Sequence, residues 1–271
     1  MAVLILMLAV MTPTPAFAEE ASDDTVKLIG HRGYSSEYPE NTMPAFKGAY
    51  KAGFVGIEFD VWESDNGDLM VFHDYTTGRM CRGKSDKIWH VNNRNRKKSR
   101  YRIPYKDKTV VIPNLSEVLK LAAKHPGMVL LHIKKQPGKY RLSNAGVRKI
   151  VRLIKKYRVK DRVVVFTSVE SDIKRFVGKG VRVGRQSSSH DRAKVNKAVR
   201  WLEKNKGDTL VITYTDTMRQ DDFGSDLVEY CHKKGIQVGT YYAYTADDLD
   251  FLNSIKADFA MSDWYLPDLA E

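Results

Sequence analysis

The sequence has little cysteine, and several patterns that would signal a particular function are missing. Its 271 residues include only Cys81 and Cys231, and these form no CxxC or Cys/His pattern of a zinc site. A domain of this size does not need a disulfide, and nothing in the sequence brings the two thiols together. A disulfide and two free thiols both stay open. No glycine-rich fingerprint follows the first apolar segment, which argues against a dinucleotide-binding sheet.

The chain also has no long apolar run after its first residues. Met1 to Met11 is apolar, and Ala16-Phe17-Ala18 follows before two glutamates. About 10 apolar residues followed by a small-x-small triplet are typical of a secretory signal, and they are too short to span a bilayer. We therefore expect residues 1–18 to be a signal peptide; a buried N-terminal helix is the alternative. We expect the mature protein to be exported, and either soluble or held at a surface by charge.

The charge is strongly basic, with 45 Lys and Arg against 33 Asp and Glu and a net charge of +12. The excess is concentrated in a segment that has Asp107 as its only acidic residue and eight basic ones: Arg94, Arg96, Lys97, Lys98, Arg100, Arg102, Lys106 and Lys108. Such a segment attracts polyanions. Export argues against nucleic acid and favours an anionic cell-wall polymer or a membrane surface. An ordinary solvated loop fits the same pattern.

Apolar segments typical of strands alternate with amphipathic segments typical of helices. Strands are predicted at 25–30, 54–62, 70–72, 129–133, 162–166, 181–184, 209–213, 237–241 and 259–261, and helices at 42–52, 117–124, 144–157, 169–176, 194–205, 225–234 and 246–254. This alternation indicates parallel strands joined by crossover helices.

The number of strands then decides the fold class. If 70–72 is the second arm of a hairpin that turns at Asn66-Gly67, eight parallel strands remain. The sequence then predicts an α/β fold, an eight-stranded (β/α)8 TIM-type barrel, in one domain over residues 19–271. An open doubly wound sheet is the alternative. The basic segment falls in a polar, irregular stretch at about residues 75–110, which we expect to be a long loop or small insertion after the second strand.

Ionisable residues collect where the predicted strands end, and in a parallel barrel these ends form the active site. The residues concerned are His31, Arg32, Glu58, Asp60, His132, Lys134, Tyr241, Tyr242 and Asp263. Glu58 and Asp60 share one face of their strand, because side chains alternate. Two adjacent buried carboxylates repel unless a cation lies between them. Either a divalent metal or ion pairs with Arg32 and Lys134 would provide that cation.

Two histidines accompany these carboxylates. His31 and His73 are suited to give and take protons near neutral pH, although for either histidine alone a structural role would be the better interpretation. With cations and a metal nearby, they predict phosphoryl-transfer chemistry.

The motifs that contain these residues resemble those of a known family. His31-Arg32-Gly33, Pro39-Glu40-Asn41-Thr42, Glu58-x-Asp60 and His73-Asp74 are similar, in order and spacing, to the signature of the glycerophosphodiester phosphodiesterase family. The resemblance continues through Ile112 to Leu119, Phe166-Thr167-Ser168, Val238 to Tyr241 and Ser262-Asp263-Trp264, and so covers about residues 26–267.

The resemblance implies a TIM-type barrel that uses a divalent metal to hydrolyse glycerophosphodiesters to glycerol phosphate and an alcohol. It implies His31 and His73 as general acid and base, and Glu58 and Asp60 as metal ligands. Arg32 and Lys134 would bind phosphate oxygens, and Tyr241 would also lie in the substrate site. The implied first step is attack on phosphorus by the neighbouring glycerol hydroxyl, which gives a cyclic phosphate that water opens.

One position departs from the family pattern. The family's fourth motif usually reads Glu-x-Lys, with the glutamate as third metal ligand, whereas this chain has His132-Ile133-Lys134. On one interpretation His132 is still a ligand. The preference would then move from Ca²⁺ or Mg²⁺ toward Mn²⁺, Zn²⁺ or a similar ion. On the other, the metal and the catalysis are lost and a binding module remains.

Three functions therefore stay open. The leading one is an exported phosphodiesterase that acts on lipid-derived head groups or on polyglycerol phosphate of wall polymers. The second is a phospholipase-type barrel that acts on intact lipid and stops at the cyclic product. The third is a non-catalytic surface protein that binds anionic polymer.

Overall fold

The computed structural model describes residues 25–83, 85–138, 141–213 and 215–266. The predicted signal peptide lies outside these residues. The strands are β1 (Lys27–Gly30), β2 (Gly56–Glu63), β3 (Leu69–Val71), β4 (Arg102–Tyr105), β5 (Lys108–Val111), β6 (Val129–Ile133), β7 (Val163–Thr167), β8 (Arg182–Ser187), β9 (Thr209–Ile212), β10 (Gln237–Tyr241) and β11 (Phe259–Ser262).

The helices alternate with these strands. They are α1 (Met43–Ala52), α2 (Leu115–Ala122), α3 (Asn144–Lys156), α4 (Glu170–Ile173), α5 (Arg192–Asn205), α6 (Thr215–Met218), α7 (Phe223–Lys233) and α8 (Ala246–Ser254), with 3₁₀ turns at Ile88–His90, Ser99–Tyr101 and Lys174–Phe176. Among the helices so described, none combines the length and the apolar character needed to cross a membrane.

Eight of the strands run parallel and close into a barrel. Their order is β1-β11-β10-β9-β8-β7-β6-β2, and pairing of β1 with β2 closes the ring. β3 pairs antiparallel with the end of β2, so the predicted hairpin is confirmed. The predicted TIM-type barrel is confirmed as well, and the open sheet is wrong.

The core has two layers because side chains alternate along each strand. One apolar cluster fills the space between barrel and helices, and a smaller one fills the barrel interior. On β6, Leu131 and Ile133 belong to the outer cluster and Leu130 to the inner one. This alternation also sends the polar residues at the strand ends toward the barrel axis.

Capping side chains fix the first helices where the sequence indicates. Thr42 accepts a hydrogen bond from the backbone N–H of Ala45 at the start of α1, and Gly53 ends that helix with φ 105°. Asn114 caps α2 and forms a capping box with Glu117. Helix α2 therefore starts at Leu115, two residues before the predicted start.

The basic insertion is more ordered than predicted. It contains a β4–β5 hairpin and two 3₁₀ turns, and its apolar residues form a separate cluster with the β2–β3 hairpin. Members of this cluster from the insertion include Ile88, Trp89, Tyr101 and Ile103; Trp62, Met70 and Phe72 come from the hairpin. The sequence did not show this because these residues follow neither a helical nor a strand period and are buried only by tertiary contacts.

Two smaller predictions also need correction. The predicted helix 169–176 is α4 followed by a 3₁₀ turn, and α6 was not predicted, because four residues carry no helical periodicity. The structure also decides between a disulfide and two free thiols. Cys81 and Cys231 are buried free thiols, and burial raises the pKa of each to about 12.

Candidate active site

Strand β2 carries the two carboxylates into the mouth of the barrel. Glu58 and Asp60 are 0% and 2% exposed. The β2–β6 register places Asp60 directly opposite His132. The alternate residues of β2 pack outward in the larger apolar cluster: Ile57, Phe59 and Val61. Alternation and register together bring Glu58, Asp60 and His132 to one point at the barrel mouth.

Asp60 is surrounded by hydrogen-bond donors and cations. Its Oδ1 lies 2.9 Å from His132 Nδ1 and 3.3 Å from Lys134 Nζ. Its Oδ2 accepts a hydrogen bond from Asn41 Nδ2 at 2.9 Å and lies 3.7 Å from Arg32 Nε. Burial alone would raise the pKa of Asp60, but Lys134 and His132 outweigh it and hold this pKa well below its usual value. Asp60 is therefore ionised.

The carboxylate of Glu58 has fewer hydrogen-bond partners than that of Asp60. Its Oε2 accepts the backbone N–H of Arg32 at 3.1 Å, whereas its buried Oε1 has no hydrogen-bond partner among the described residues. Burial, followed by the negative charge of Asp60, raises the pKa of Glu58 well above its usual value. A buried polar atom without a partner is costly, so the site favours a cation beside Glu58. Ion pairing by Arg32 and Lys134 accounts for Asp60 but leaves Glu58 Oε1 without a partner.

The residues present fit a divalent metal. Glu58, Asp60 and His132 each offer one ligand atom, and these atoms all lie within 4.8 Å of one another. His132 stacks on Phe166 with ring centroids 4.8 Å apart. Burial lowers the pKa of His132 and so favours the neutral imidazole, which is the form that binds metals. Two carboxylates and an imidazole form a chemically reasonable ligand set.

His31 follows β1 and is held from one side. Its Nδ1 lies 2.8 Å from Asp263 Oδ1, which also accepts a hydrogen bond from Ser35 Oγ at 2.6 Å. Because a carboxylate only accepts, we assign the proton of the neutral ring to Nδ1, which leaves Nε2 as the basic nitrogen. Tyr241 and Tyr242 pack nearly perpendicular to the ring at centroid distances of 5.4 and 5.3 Å. The orientation of His31 is thus fixed by its neighbours.

His73 follows β3 and is held in a similar way. Its Nδ1 lies 2.7 Å from Asp74 Oδ1. Burial, together with Lys134 and Arg32, lowers the pKa of His73 although Asp60 opposes this. His73 is therefore mainly neutral at neutral pH.

Arg79, from the insertion, joins this histidine to the rest of the site. Its Nε donates to Asp74 Oδ2 at 2.6 Å and its Nη2 donates to Glu40 Oε1 at 2.6 Å. Glu40 in turn accepts from Arg32 Nη1 at 3.0 Å. A continuous chain of hydrogen bonds therefore runs from His73 through Asp74, Arg79 and Glu40 to Arg32. We did not predict Arg79, since an arginine in a basic, irregular segment carries no distinguishing signal.

The Pro39-Glu40-Asn41-Thr42 motif now has a structural explanation. Glu40 orients Arg32, and Asn41 bonds to both the side chain and the backbone N–H of Asp60. Thr42 caps α1. Asn41 has φ 56°, a left-handed conformation that asparagine adopts more readily than most residues. The motif thus positions two other functional side chains.

The predicted residues surround one cavity of about 120 Å³. Those that line it are His31, Arg32, Asp60, His73, His132, Lys134 and Tyr241, while Glu58 lies buried beside them. Gln186, Thr213 and Tyr242 also line the cavity; only Tyr242 was noted as a strand-end residue in the sequence. Gln186 donates a hydrogen bond to Thr213 at 3.1 Å. These two were missed because their only signal is their position near a strand end.

The family assignment follows from comparison with known proteins. The model of the glycerophosphoryl diester phosphodiesterase family matches residues 31–264. The chain belongs to this family. The match includes every residue of the site described above.

Curated relatives support the assignment over part of the chain. A glycerophosphodiester phosphodiesterase from Bacillus altitudinis is 32% identical over 142 residues, which are 51% of this chain and 56% of the relative. Another from Caldanaerobacter subterraneus subsp. tengcongensis is 34% identical over 141 residues, with the same shares. The chain thus spans a little over half the length of these relatives.

Solved structures in the family share the fold. A putative glycerophosphoryl diester phosphodiesterase from Silicibacter pomeroyi has a TM-score of 0.74 at 18% identity, covering 89% of this chain and 90% of its own. A phosphodiesterase from Oleispira antarctica, solved with its product sn-glycerol-3-phosphate, has a TM-score of 0.71 at 19% identity, covering 89% and 94%. These similarities establish the barrel architecture of the family in this chain.

Proposed function

We propose that the chain is a metal-dependent phosphodiesterase that hydrolyses glycerophosphodiesters to glycerol phosphate and an alcohol. The observation that carries this proposal is the content of the 120 Å³ cavity, where His31 and His73 face the same space as Arg32 and Lys134. Two proton carriers and two cations beside a metal-type cluster are the groups that a phosphodiester reaction needs.

The cations bind the phosphate and the histidines move the protons. Arg32 and Lys134 hold the phosphate oxygens and stabilise the charge that develops on them. One histidine takes the proton from the neighbouring glycerol hydroxyl as its oxygen bonds to phosphorus. The other gives a proton to the alcohol oxygen as the phosphorus–oxygen bond breaks. Water then opens the cyclic phosphate with the two roles reversed.

The proposed metal ligands are Glu58, Asp60 and His132. A divalent ion held there supplies Lewis-acid neutralisation of charge on the phosphate. With an imidazole in place of a third carboxylate, the ligand set favours Mn²⁺ or Zn²⁺ over the Ca²⁺ or Mg²⁺ that the family resemblance implies.

One assay tests this function. Purified protein with Mn²⁺ should release glycerol phosphate from glycerophosphocholine, and both a chelator and His31→Ala should abolish the release. His232→Ala is the matched control, because this exposed histidine pairs with Asp258 away from the cavity. Accumulation of a cyclic phosphate would favour the phospholipase-type alternative. If no diester is cleaved with Ca²⁺, Mg²⁺, Mn²⁺ or Zn²⁺, the enzyme hypotheses fail and the non-catalytic binding module is the remaining one.

We also propose that the protein is exported and works at an anionic surface. The proposal of export rests on residues 1–18. The proposal of an anionic surface rests on six exposed basic residues of the insertion: Arg94, Lys97, Lys98, Arg100, Lys106 and Lys108. If they attract a wall polymer or a membrane, salt should weaken activity on polymeric or vesicle-bound substrate more than on small diesters. Equal salt dependence would contradict this role.

A further inference from the structure

A second, larger cavity opens beside the first one. Its volume is about 370 Å³, and it shares His31, Arg32 and Tyr242 with the smaller cavity. Among the described residues, none of the three proposed metal ligands lines it. The phosphate bound by Arg32 would therefore lie where the two cavities meet. One arm of a diester can extend past the metal-type cluster while the other enters the larger cavity.

One wall of the larger cavity is aromatic. Tyr242 and Tyr244 follow β10, and their rings stack with centroids 5.1 Å apart and an interplanar angle of 7°. Trp264 follows the neighbouring β11 and packs against Tyr244 at 5.9 Å. Tyr244 is 46% exposed and Trp264 is 39% exposed. Grouped exposed aromatic rings beside an active site indicate a surface that a ligand covers.

The remaining walls carry two carboxylates, one of which, Glu40, is also paired with Arg79 outside the lining. Glu40 and Asp263 each contribute a carboxylate, whereas Arg32 contributes the one guanidinium of the lining. That guanidinium already lies 3.0 Å from Glu40 and 3.7 Å from Asp60. Carboxylates near the faces of tyrosine and tryptophan are the groups that bind an organic cation, since the face of an aromatic ring is electron-rich.

We propose that this cavity, the aromatic subsite, binds the alcohol arm of the diester and selects an alcohol that carries a quaternary ammonium or amine. The proposal rests on the function proposed above and names its substrate class. It separates two roles: the insertion's basic surface holds the protein at an anionic surface, and the aromatic subsite chooses among small diesters.

A neutral analogue tests the selection directly. Glycerophosphocholine is compared with the diester of 3,3-dimethylbutanol, in which carbon replaces the ammonium nitrogen at nearly the same shape. The wild-type protein should prefer the charged substrate by about two- to thirtyfold in kcat/KM, the range expected for cation–π contacts. Equal kcat/KM for the two substrates, or better turnover of glycerophosphoglycerol than of glycerophosphocholine, would overturn the proposal.

Variants test which side chains cause the preference for the charged substrate. Tyr244→Ala and Trp264→Ala should bring the ratio of the two kcat/KM values close to one, and Tyr244→Phe should keep most of it. Tyr230→Ala is the matched control, because Tyr230 is also 46% exposed but lies on α7, where it donates a hydrogen bond to Glu203. A preference that survives in both alanine variants contradicts the subsite.

A binding measurement separates this proposal from the proposed function. Tetramethylammonium should change the tryptophan fluorescence of the wild-type protein but not of Trp264→Phe. If no diester is cleaved while this response appears, the proposed function fails and the cation site remains. If diesters are cleaved without any response or charge preference, the function stands and the cation site fails.

Discussion

The barrel mouth and the insertion contribute to the same site in different ways. At the mouth, Glu58, Asp60 and His132 are placed by strand alternation and register; Glu58 and Asp60 are buried, and the side chain of His132 is 13% exposed. The insertion contributes through Arg79, whose side chain is half exposed and whose contacts depend on how the segment folds back over the barrel. We infer that the mouth provides the groups of the proposed reaction, whereas the insertion adjusts their geometry.

The largest effect should come from the mouth. Asp60→Asn keeps the shape of the side chain but removes the charge that faces Lys134, His132 and the proposed metal. We expect kcat/KM to fall by about a thousandfold or more, with loss of bound metal. Steady-state kinetics and metal content measure both effects. Asp65→Asn, on the exposed β2–β3 turn, is the control and should behave as the wild type. A mild effect of Asp60→Asn would remove the distinction between the two regions.

Substitutions of His132 test the proposed metal site in the barrel mouth. His132→Ala should lower metal affinity by about tenfold to a hundredfold or more, because one of three proposed ligands is lost. His132→Glu should shift the preference toward Ca²⁺ or Mg²⁺, because it restores a third carboxylate. Metal content of the wild type and both variants decides the matter. Absence of bound metal from wild-type protein supplied with each ion would contradict the proposed ligand set.

Arg79 tests the connection between the regions. Arg79→Ala removes the cation that holds Asp74 and Glu40, so His73 loses part of its orientation. We expect kcat to fall by about tenfold with a smaller change in KM. Arg79→Lys should recover part of the loss, since a lysine keeps the charge but not the forked geometry. Arg82→Ala, an exposed arginine in the same insertion, serves as control. If Arg79→Ala changes only thermal stability, the link is structural.

The smallest effect should be confined to the insertion. Tyr101 is buried there and donates a hydrogen bond to Asp86 Oδ2 at 2.6 Å. Tyr101→Phe should cost about 1.5–3 kcal/mol locally, the value of a hydrogen bond to a charged group. Hydrogen exchange should therefore increase in the insertion but hardly in the barrel. Tyr75→Phe, at an exposed tyrosine, is the control. An equal loss of protection in the barrel would show that the two regions unfold together.

Because of the Tyr101–Asp86 hydrogen bond, we also expect the stability of the insertion to depend on pH. Burial opposes ionisation of Asp86, but the hydrogen bonds from Tyr101 and His90 outweigh it and lower the pKa of Asp86. A lowered pKa in the folded state stabilises the insertion above the usual pKa of an aspartate. This stabilisation is lost as the pH falls through the lowered value. Protection of the insertion should therefore fall in acid, and Asp86→Asn should weaken that dependence. An unchanged acid profile in Asp86→Asn would contradict this assignment.

The barrel and the set of ionisable side chains at its mouth could be predicted from local sequence patterns. Strand alternation on β2 and β6 placed Glu58, Asp60 and His132 on inward faces, and parallel topology brought the strand ends together. The caps Thr42 and Asn114 are local in the same sense, since a cap depends on residues three positions apart.

The remaining features became visible in the three-dimensional structure. The insertion's apolar cluster, the contacts of Arg79 with Asp74 and Glu40, and the aromatic subsite all join residues that are distant along the chain or follow no regular period. A contact of this kind depends on how two separately folded segments meet. The contact therefore cannot be predicted from the local sequence pattern of either segment.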